Sequence, residues 1–387
     1  MSHFFLLKPF YIQPPTPRET ESCCCIKCLN IHAIYKSIRK TRKDIPESLT
    51  EFLVANFLCE KVETGCHKLS CIQGCCGRNC RIQNCADDLE EDLLALTVKY
   101  YIFERTVTSY FNKLGEEKVD TRTARVEKVG TLKEVCQLLL DASMSYLTHR
   151  YMVQSDRLYW ENFKSQCPYR VVTMDYSENV KLHPKHEVHE AHYSGREHTL
   201  HCSIVEKDGS WKFVYHLSDD TNHDSVLTGT ILEDIIIQNP EIIASGYLVV
   251  RTDNCPPQYK SLHTFQMMKE LAIKYGIQIS WFYGEAGHGR GLVDAMSHFG
   301  VKKPLKDAIV TCDKFFEKAI DMVLYLNEIK AVEAAYSNRE YQHVDSSKTA
   351  LKRITHVKRN NIFNHPIKGS RKMHLISVNQ FGSFHTR

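Results

Sequence analysis

The sequence predicts an α/β domain over residues 169–310, with a mixed five-stranded sheet and flanking helices. Three observations support this prediction. The segment holds five apolar or alternating runs of strand length, the intervals between the later runs have apolar residues at helical spacing, and proline or glycine closes several elements. The first three strands follow one another directly, whereas the last two alternate with helices.

The predicted strands are residues 170–174, 198–205, 211–217, 247–251 and 277–283. A first helix over 225–238 ends before Pro240, and a second over 258–274 is closed by Gly276, a favourable residue just beyond a helix end. A glycine-rich loop follows the fifth strand, and a third helix begins at about Leu292. Three antiparallel strands followed by alternating helices and strands is the element order of the RNase H fold.

Three further regions surround this domain. Residues 1–85 form a cysteine-rich, zinc-binding region, residues 86–168 a mostly helical region, and residues 311–387 a helical extension with a basic C-terminal module. Thr131 and Glu134 fit a capping box at the start of a helix. The aromatic and β-branched stretch 98–111 fits either a strand or a helix, and 46–58 fits a short amphipathic helix.

Acidic residues stand where two of the predicted strands end. Asp175 follows the first strand and Asp253 follows the fourth, and these strands are neighbours in the RNase H strand order. We therefore expect both carboxylates to meet at the centre of the sheet. Asp294, in the first turn of the third helix, and Glu285, at the end of the fifth strand, are rival third acids. Three such acids can hold two Mg²⁺ or Mn²⁺ ions for phosphodiester chemistry.

Each acid also has a purely structural interpretation. Aspartates at strand ends are common in turns and as helix caps, which would suffice for Asp253. Asp294 fits a charge that favours a helix N-terminus, and Asp224 fits a loop and helix cap. Tyr259 and Lys260 fit either a DNA-facing surface or a solvated helix face.

Four sequence blocks resemble a known group of proteins: TMDYSENV, YHLSDDTNHD, RTDNCPPQYK and YGEAGHGRGLVDAMSHFG. They are similar to blocks of uncharacterised metazoan transposon-derived proteins, which in turn resemble cut-and-paste DDE transposases and retroviral integrases. The resemblance covers most of the chain, including the N-terminal cysteines. The family block HGKG, followed by an aspartate, matches the segment from His288 to Asp294 and favours Asp294 over Glu285. Arg290 replaces the usual lysine, so that a guanidinium fork stands where the family has a point charge.

The resemblance implies a transposase-type DNA nuclease and strand transferase that uses two divalent metal ions. Asp175, Asp253 and Asp294 would hold the ions. The alternative is a domesticated protein that keeps its DNA contacts and performs no chemistry. The expected partners are DNA and further copies of the chain, as a homodimer or higher oligomer. We expect a nuclear location and no membrane contact, because no secretory signal and no apolar run of about 18 residues is present.

Cysteines are concentrated at the N-terminal end, where eleven of the sixteen precede Ala86. In a reducing compartment, clustered thiols are more often zinc ligands than disulfides. Short spacings with intervening glycines suit zinc knuckles, and the number of thiols allows two sites. The candidate ligands are Cys25, Cys28, Cys59, Cys66, Cys71, Cys75, Cys80 and Cys85. Their pairing stays open, because neighbouring cysteines offer alternative registers.

The C-terminal segment is strongly basic. After Asp345 the chain has nine lysines and arginines and no acidic residue. Such a segment either contacts the phosphates of DNA or forms a solvated tail. The candidate DNA contacts, together with Arg290, are Lys352, Arg353, Lys358, Arg359, Lys368, Arg371 and Lys372. A strand over 374–378 and a turn over 379–382 predict that part of the segment is folded.

Overall fold

The computed structural model describes residues 25–58, 81–82, 84–111, 116–183, 196–207, 209–284, 292–359 and 374–386. The chain divides into two compact units, Met1–Arg157 and Leu158–Arg387. Within the described ranges, no helix combines the length and the apolar character that crossing a membrane requires.

The first unit combines helices with a long two-stranded ribbon. Its described helices are α1 (Ile26–Thr41), α2 (Leu49–Ala55) and α3 (Glu91–Leu94), and α4 (Leu132–Gln166) begins in it. Its described strands are β1 (Phe57–Leu58), β2 (Arg81–Ile82), β3 (Thr97–Phe111) and β4 (Glu117–Thr131). β1 pairs with β2 and β3 pairs with β4, both antiparallel. The helix predicted over 46–58 is α2.

The start of α4 is set by the predicted capping box. The Thr131 backbone N–H donates to Glu134 Oε2 at 2.7 Å, and the Glu134 N–H donates to Thr131 Oγ1 at 3.3 Å. These bonds satisfy backbone donors that the helix itself leaves unpaired. Leu132, Val135 and Leu139 then follow at helical spacing and are buried against α1 and β3 in one apolar core. The capping box therefore directs an apolar helix face into the core of the first unit.

The region 86–168, expected to be mostly helical, also holds the β3–β4 ribbon. For 98–111 the sequence leaves strand and helix open, and the structure shows strand β3. Its partner β4 is not predicted, because its few apolar residues do not alternate regularly with polar ones. Such alternation is the pattern by which strands are recognised.

The second unit is an α/β domain. Its described strands are β5 (Arg170–Tyr176), β6 (Val180–Lys181), β7 (Glu197–Lys207), β8 (Ser210–Ser218), β9 (Tyr247–Thr252), β10 (Gln278–Tyr283), β11 (Arg339–Val344), β12 (Leu375–Val378) and β13 (Phe384–Thr386). Its described helices after α4 are α5 (Ser225–Gln238), α6 (Pro240–Ser245), α7 (Pro256–Tyr259), α8 (Leu262–Tyr275), α9 (Leu292–Ser297), α10 (Lys303–Cys312), α11 (Ala319–Val332) and α12 (Ser346–Arg359). A π-helical turn, His298–Lys302, joins α9 to α10.

One mixed sheet organises this unit. Its strand order is β11-β8-β7-β5-β9-β10-β12-β13, and β6 pairs with β7. β7 is antiparallel to both β5 and β8, whereas β5, β9 and β10 run parallel. β11 is parallel to β8, and β12 is antiparallel to β10. The predicted mixed sheet with flanking helices is therefore confirmed.

Within the described residues, the sheet has nine strands rather than the predicted five. The five predicted strands are β5, β7, β8, β9 and β10, and β11 and β12 pair with the two outer strands of this set. Edge strands carry unpaired backbone groups, which additional strands can satisfy. The strand and turn predicted near the C-terminus are confirmed as β12 and its connection to β13, although the sequence does not indicate which edge they join.

Side chains of β5 alternate between the two faces of the sheet. Val172 and Met174 pack in the core that includes residues of α5 and α8. Val171 lies on the opposite face and packs with Trp160 of α4. Because alternate residues share a face, Asp175 belongs to the same face as Val171. Helices α9 to α11 pack on this face as well, over β7 and β8.

Candidate functional site

Asp175 and Asp253 lie at corresponding positions of two neighbouring parallel strands. Thr173 of β5 pairs in register with Arg251 of β9. Asp175 comes two residues after Thr173, and Asp253 comes two residues after Arg251. Asp175 is the last residue but one of β5 and Asp253 directly follows β9, so both aspartates stand at the same end of these two parallel strands. The sequence prediction that these two acids meet at neighbouring strand ends is consistent with this register.

The electrostatic surroundings of the two carboxylates overlap. Burial raises the pKa of Tyr259 well above its usual range, and the charges of Asp175 and Asp253 raise it further. Burial also raises the pKa of the Cys255 thiol, again with contributions from Asp253 and Asp175. Both aspartates therefore lie within electrostatic reach of Tyr259 and Cys255, which belong to α7 and its N-cap.

Local hydrogen bonds orient both carboxylates. Asp175 Oδ1 accepts from the backbone N–H of Tyr176 at 2.8 Å. Asp253 Oδ1 accepts from the N–H of Cys255 at 3.0 Å, the pattern of an aspartate-stabilised turn. The structure therefore agrees with the interpretation of Asp253 as a turn residue. Each carboxylate has a second oxygen, so a turn contact and a metal contact are compatible.

Helix α9, which carries Asp294, packs against the strand that carries Asp175. It contacts both β5 and β7. Ser177 Oγ, just beyond β5, donates to Ser297 Oγ of α9 at 3.2 Å. Asp294 lies one helical turn before Ser297. The structure thus brings the helix that carries the predicted third acid against the strand that carries the first acid. The side chain of Asp294 lies outside the described part of the structure, as does the rival Glu285.

The π-helical turn after α9 is fixed by an unusually close contact. Tyr215 of β8 donates through its hydroxyl to the carbonyl oxygen of Met296 at 3.3 Å. The ring also occupies the space beside Gly300, where an added Cβ would lie 2.2 Å from the Tyr215 hydroxyl. Only glycine fits at this position. π-Helical turns often occur at functional sites, and this one anchors the helix that carries Asp294.

Two cationic side chains near the acids were not singled out by sequence reasoning as site residues. Arg251 shares the face of Asp253, and its guanidinium lies 4.5 Å from the ring centre of Trp160. Lys260 is only 6% exposed and donates through Nζ to Asn254 Oδ1 at 2.9 Å. Tyr259 is fully buried. Lys260 and Tyr259 therefore lie neither on a solvated helix face nor on an open DNA-facing surface. Their burial depends on long-range packing, which the local sequence does not encode.

The predicted DNA-contacting residues that the structure describes take part in ion pairs within the second unit. Arg353 of α12 contacts Asp220 and Asp224, with closest nitrogen–oxygen distances of 2.6 Å. Lys352 Nζ lies 2.9 Å from Glu233. Asp224 also caps α5, as predicted, by accepting from two backbone N–H groups. These contacts attach α12 to α5.

The remaining predicted DNA contacts cannot be placed by their side chains. Lys358 and Arg359 end α12, but only their backbone is described. Arg290, Lys368, Arg371 and Lys372 lie outside the described residues. DNA binding by these residues stays a prediction.

A second candidate site lies in the first unit. Cys25, Cys28 and His149 place one ligand atom each within 4.8 Å of one another, so that they can hold a metal ion such as zinc. The sequence predicts the two cysteines but not His149, which no motif marks because it lies 124 residues from Cys25. Cys85 takes a different partner, since its thiol hydrogen-bonds with Cys136. The predicted ligands between Cys59 and Cys80 lie outside the described residues.

Comparison with known proteins gives one family. The family described as Domain of unknown function (DUF8701) matches residues 157–387. This range coincides with the second compact unit, which begins at Leu158. No curated protein and no solved structure matches the chain.

Proposed function

The chain belongs to the DUF8701 family, and we propose that its second unit is an RNase H-like domain that cuts and joins DNA strands in the manner of a transposase. The observation that carries this proposal is the register of β5 with β9, because Asp175 and Asp253 come at the same end of these two strands. Proteins use pairs of carboxylates from separate elements to hold divalent ions for phosphodiester chemistry.

The strand order supports the fold assignment. The five strands predicted from the sequence lie side by side in the order third, second, first, fourth, fifth. The second strand lies between the first and the third and is antiparallel to both, and the fourth and fifth continue the sheet parallel to the first. An RNase H-like sheet is expected to have this arrangement. Asp175 belongs to β5 and Asp253 follows β9, and these two strands are neighbours inside the sheet.

The donor set suits Mg²⁺ or Mn²⁺. Both described candidates, Asp175 and Asp253, are oxygen donors, and hard divalent ions prefer carboxylate oxygens with water and phosphate completing the shell. Asp294 on α9 is the proposed third acid. When bound, two such ions activate the attacking oxygen and stabilise the leaving oxygen of a phosphodiester.

The protein's own residues position the substrate. Arg251 lies on the acidic face and is stacked on Trp160, which restricts its guanidinium. A guanidinium held in this way can contact two oxygens of one phosphate. Lys260 is buried and donates to Asn254, the residue after Asp253, and so stabilises the turn that follows this acid rather than contacting the substrate. The Arg251 guanidinium balances part of the acidic charge and favours a phosphodiester over other ligands.

The test is divalent-dependent nicking of supercoiled plasmid DNA by the full chain. We expect nicking with Mn²⁺ or Mg²⁺ and a loss of at least a hundredfold in Asp175→Asn and in Asp253→Asn. Asp307→Asn is the matched control, because Asp307 is exposed and pairs only locally with Lys303. Nicking that persists in both site variants would refute the assignment.

Saturable Mn²⁺ binding separates the enzyme from a domesticated DNA-binding protein. Electron paramagnetic resonance of the parent protein should show Mn²⁺ bound with an affinity that Asp175→Asn lowers. DNA binding without nicking and without such an Mn²⁺ site would favour the domesticated alternative. We propose nuclear location and self-association for both alternatives, the transposase and the domesticated DNA-binding protein.

A further inference from the structure

We infer that Cys25, Cys28 and His149 bind one zinc ion that fastens the start of α1 to α4. Cys25 Sγ lies 3.2 Å from His149 Nε2, and all three ligand atoms lie within 4.8 Å of one another. Ligand atoms around one zinc ion lie about 3.5–4 Å apart, given bonds of about 2.3 Å to sulfur and about 2.0 Å to nitrogen. Small side-chain adjustments would therefore complete the site.

The donor chemistry favours zinc over the hard ions proposed for the acids. Two thiolates and one imidazole are soft and borderline ligands, the combination found in zinc sites. Cys25 is the N-cap of α1, and the Cys28 N–H donates to its sulfur at 3.4 Å. Zinc binds cysteine as the thiolate, so that binding an ion here would displace the protons of both thiols.

Two of the three ligands are shielded from water. Cys28 is 2% exposed and His149 is 8% exposed, whereas Cys25 is partly exposed. An ion held mainly by buried side chains would have a structural role. Three protein ligands leave one position of a tetrahedral zinc ion to be filled by a further ligand.

The ion would join parts of the chain that are far apart in sequence. His149 lies 124 residues from Cys25, on the helix whose first turns pack against α1. A metal bridge between two distant segments stabilises the folded state because the unfolded chain cannot hold the ion in the same way. The first unit lies outside the family match, so this inference is independent of the function proposed for the second unit.

The experiment compares zinc content in the full chain and three variants. We expect Cys25→Ser and His149→Ala each to lose one equivalent of zinc per chain, measured by plasma mass spectrometry after dialysis. Cys312→Ser is the matched control, since Cys312 is exposed in α10. Zinc content equal to that of the parent in both ligand variants would overturn the inference.

A measurement on the parent protein covers the case in which a variant fails to fold. Alkylation followed by peptide mass spectrometry should show Cys25, which is partly exposed, protected until a chelator removes the metal, and then reactive. Cys312 should react equally with and without chelator. Zinc X-ray absorption should show both sulfur and imidazole scattering. Cys25 reactivity that a chelator leaves unchanged, or the absence of imidazole scattering, contradicts the site.

Discussion

Thr173 of β5 and Arg251 of β9 are register partners on neighbouring parallel strands, and each precedes an aspartate by two residues. The backbone ladder therefore brings the two aspartates to the same end of neighbouring strands. Two like charges held near each other oppose folding, since each raises the electrostatic energy of the other. Such strain is tolerated at functional sites, where a bound cation removes it.

Removing one of these charges should stabilise the metal-free protein. We expect Asp175→Asn to raise the free energy of unfolding by on the order of 1 kcal/mol in the presence of a chelator. Mn²⁺ should raise the melting temperature of the parent but not of the variant, because only the parent keeps the site that binds the ion. Thermal unfolding with and without Mn²⁺ measures both effects. A variant that Mn²⁺ stabilises as much as the parent would contradict the site.

The hydrogen bond between Ser177 and Ser297 should position α9 relative to β5. We expect Ser177→Ala to lower the free energy of unfolding by about 1 kcal/mol, the usual contribution of one hydrogen bond. The affinity for Mn²⁺ should fall more, at least fivefold, because α9 carries Asp294. Ser245→Ala is the control, because it removes local hydrogen bonds to Ile242 and Tyr247 just before β9, at the opposite end of that strand from Asp253. Equal Mn²⁺ affinities in the two variants would exclude a positioning role for Ser177.

Local patterns in the sequence predict the central elements well. The helix predicted over 225–238 is α5, bounded by its cap Asp224 and closed before Pro240. The five predicted strands form the centre of the sheet, and the ends of two of them carry Asp175 and Asp253. These features follow from periodicity and from turn residues, which act over a few neighbouring positions.

Local sequence patterns do not predict contacts between segments that are distant along the chain. Strand β11 joins β8, and the hydroxyl of Ser218 donates to the carbonyl of Val344, 126 residues away. His149 approaches Cys25 across a similar distance along the chain. A basic tail predicts contact with phosphate, but the sequence does not show that Arg353 meets Asp220 and Asp224 instead. Such pairings depend on the assembled fold.

The burial of Asp220 makes Arg353 a structural residue. The Asp220 side chain is 4% exposed and accepts from both Thr349 and Arg353. We expect Arg353→Met to lower the free energy of unfolding by about 3 kcal/mol, because it leaves a buried carboxylate without its cation. Lys352→Met should cost less than about 1 kcal/mol, since the Lys352 side chain is 44% exposed. Urea unfolding compares the two. Parent-like stability of Arg353→Met with weakened DNA binding would instead place Arg353 at the DNA interface.

His201 should make the second unit sensitive to acid. It is completely buried beside His216, and burial followed by the charges of His216 and His223 holds its pKa well below the usual 6.5. The folded state therefore binds fewer protons than the unfolded state once the pH falls below about 6.5. The free energy of unfolding should decrease there by up to about 1.4 kcal/mol per pH unit for this one group, and it should not change through this group at higher pH.

In His201→Gln this part of the pH dependence should disappear, whereas the exposed control His263→Gln should retain it. Urea unfolding between pH 7.5 and pH 5.5 provides the comparison, and parallel pH profiles for His201→Gln and the parent would show that the buried imidazole is not the cause.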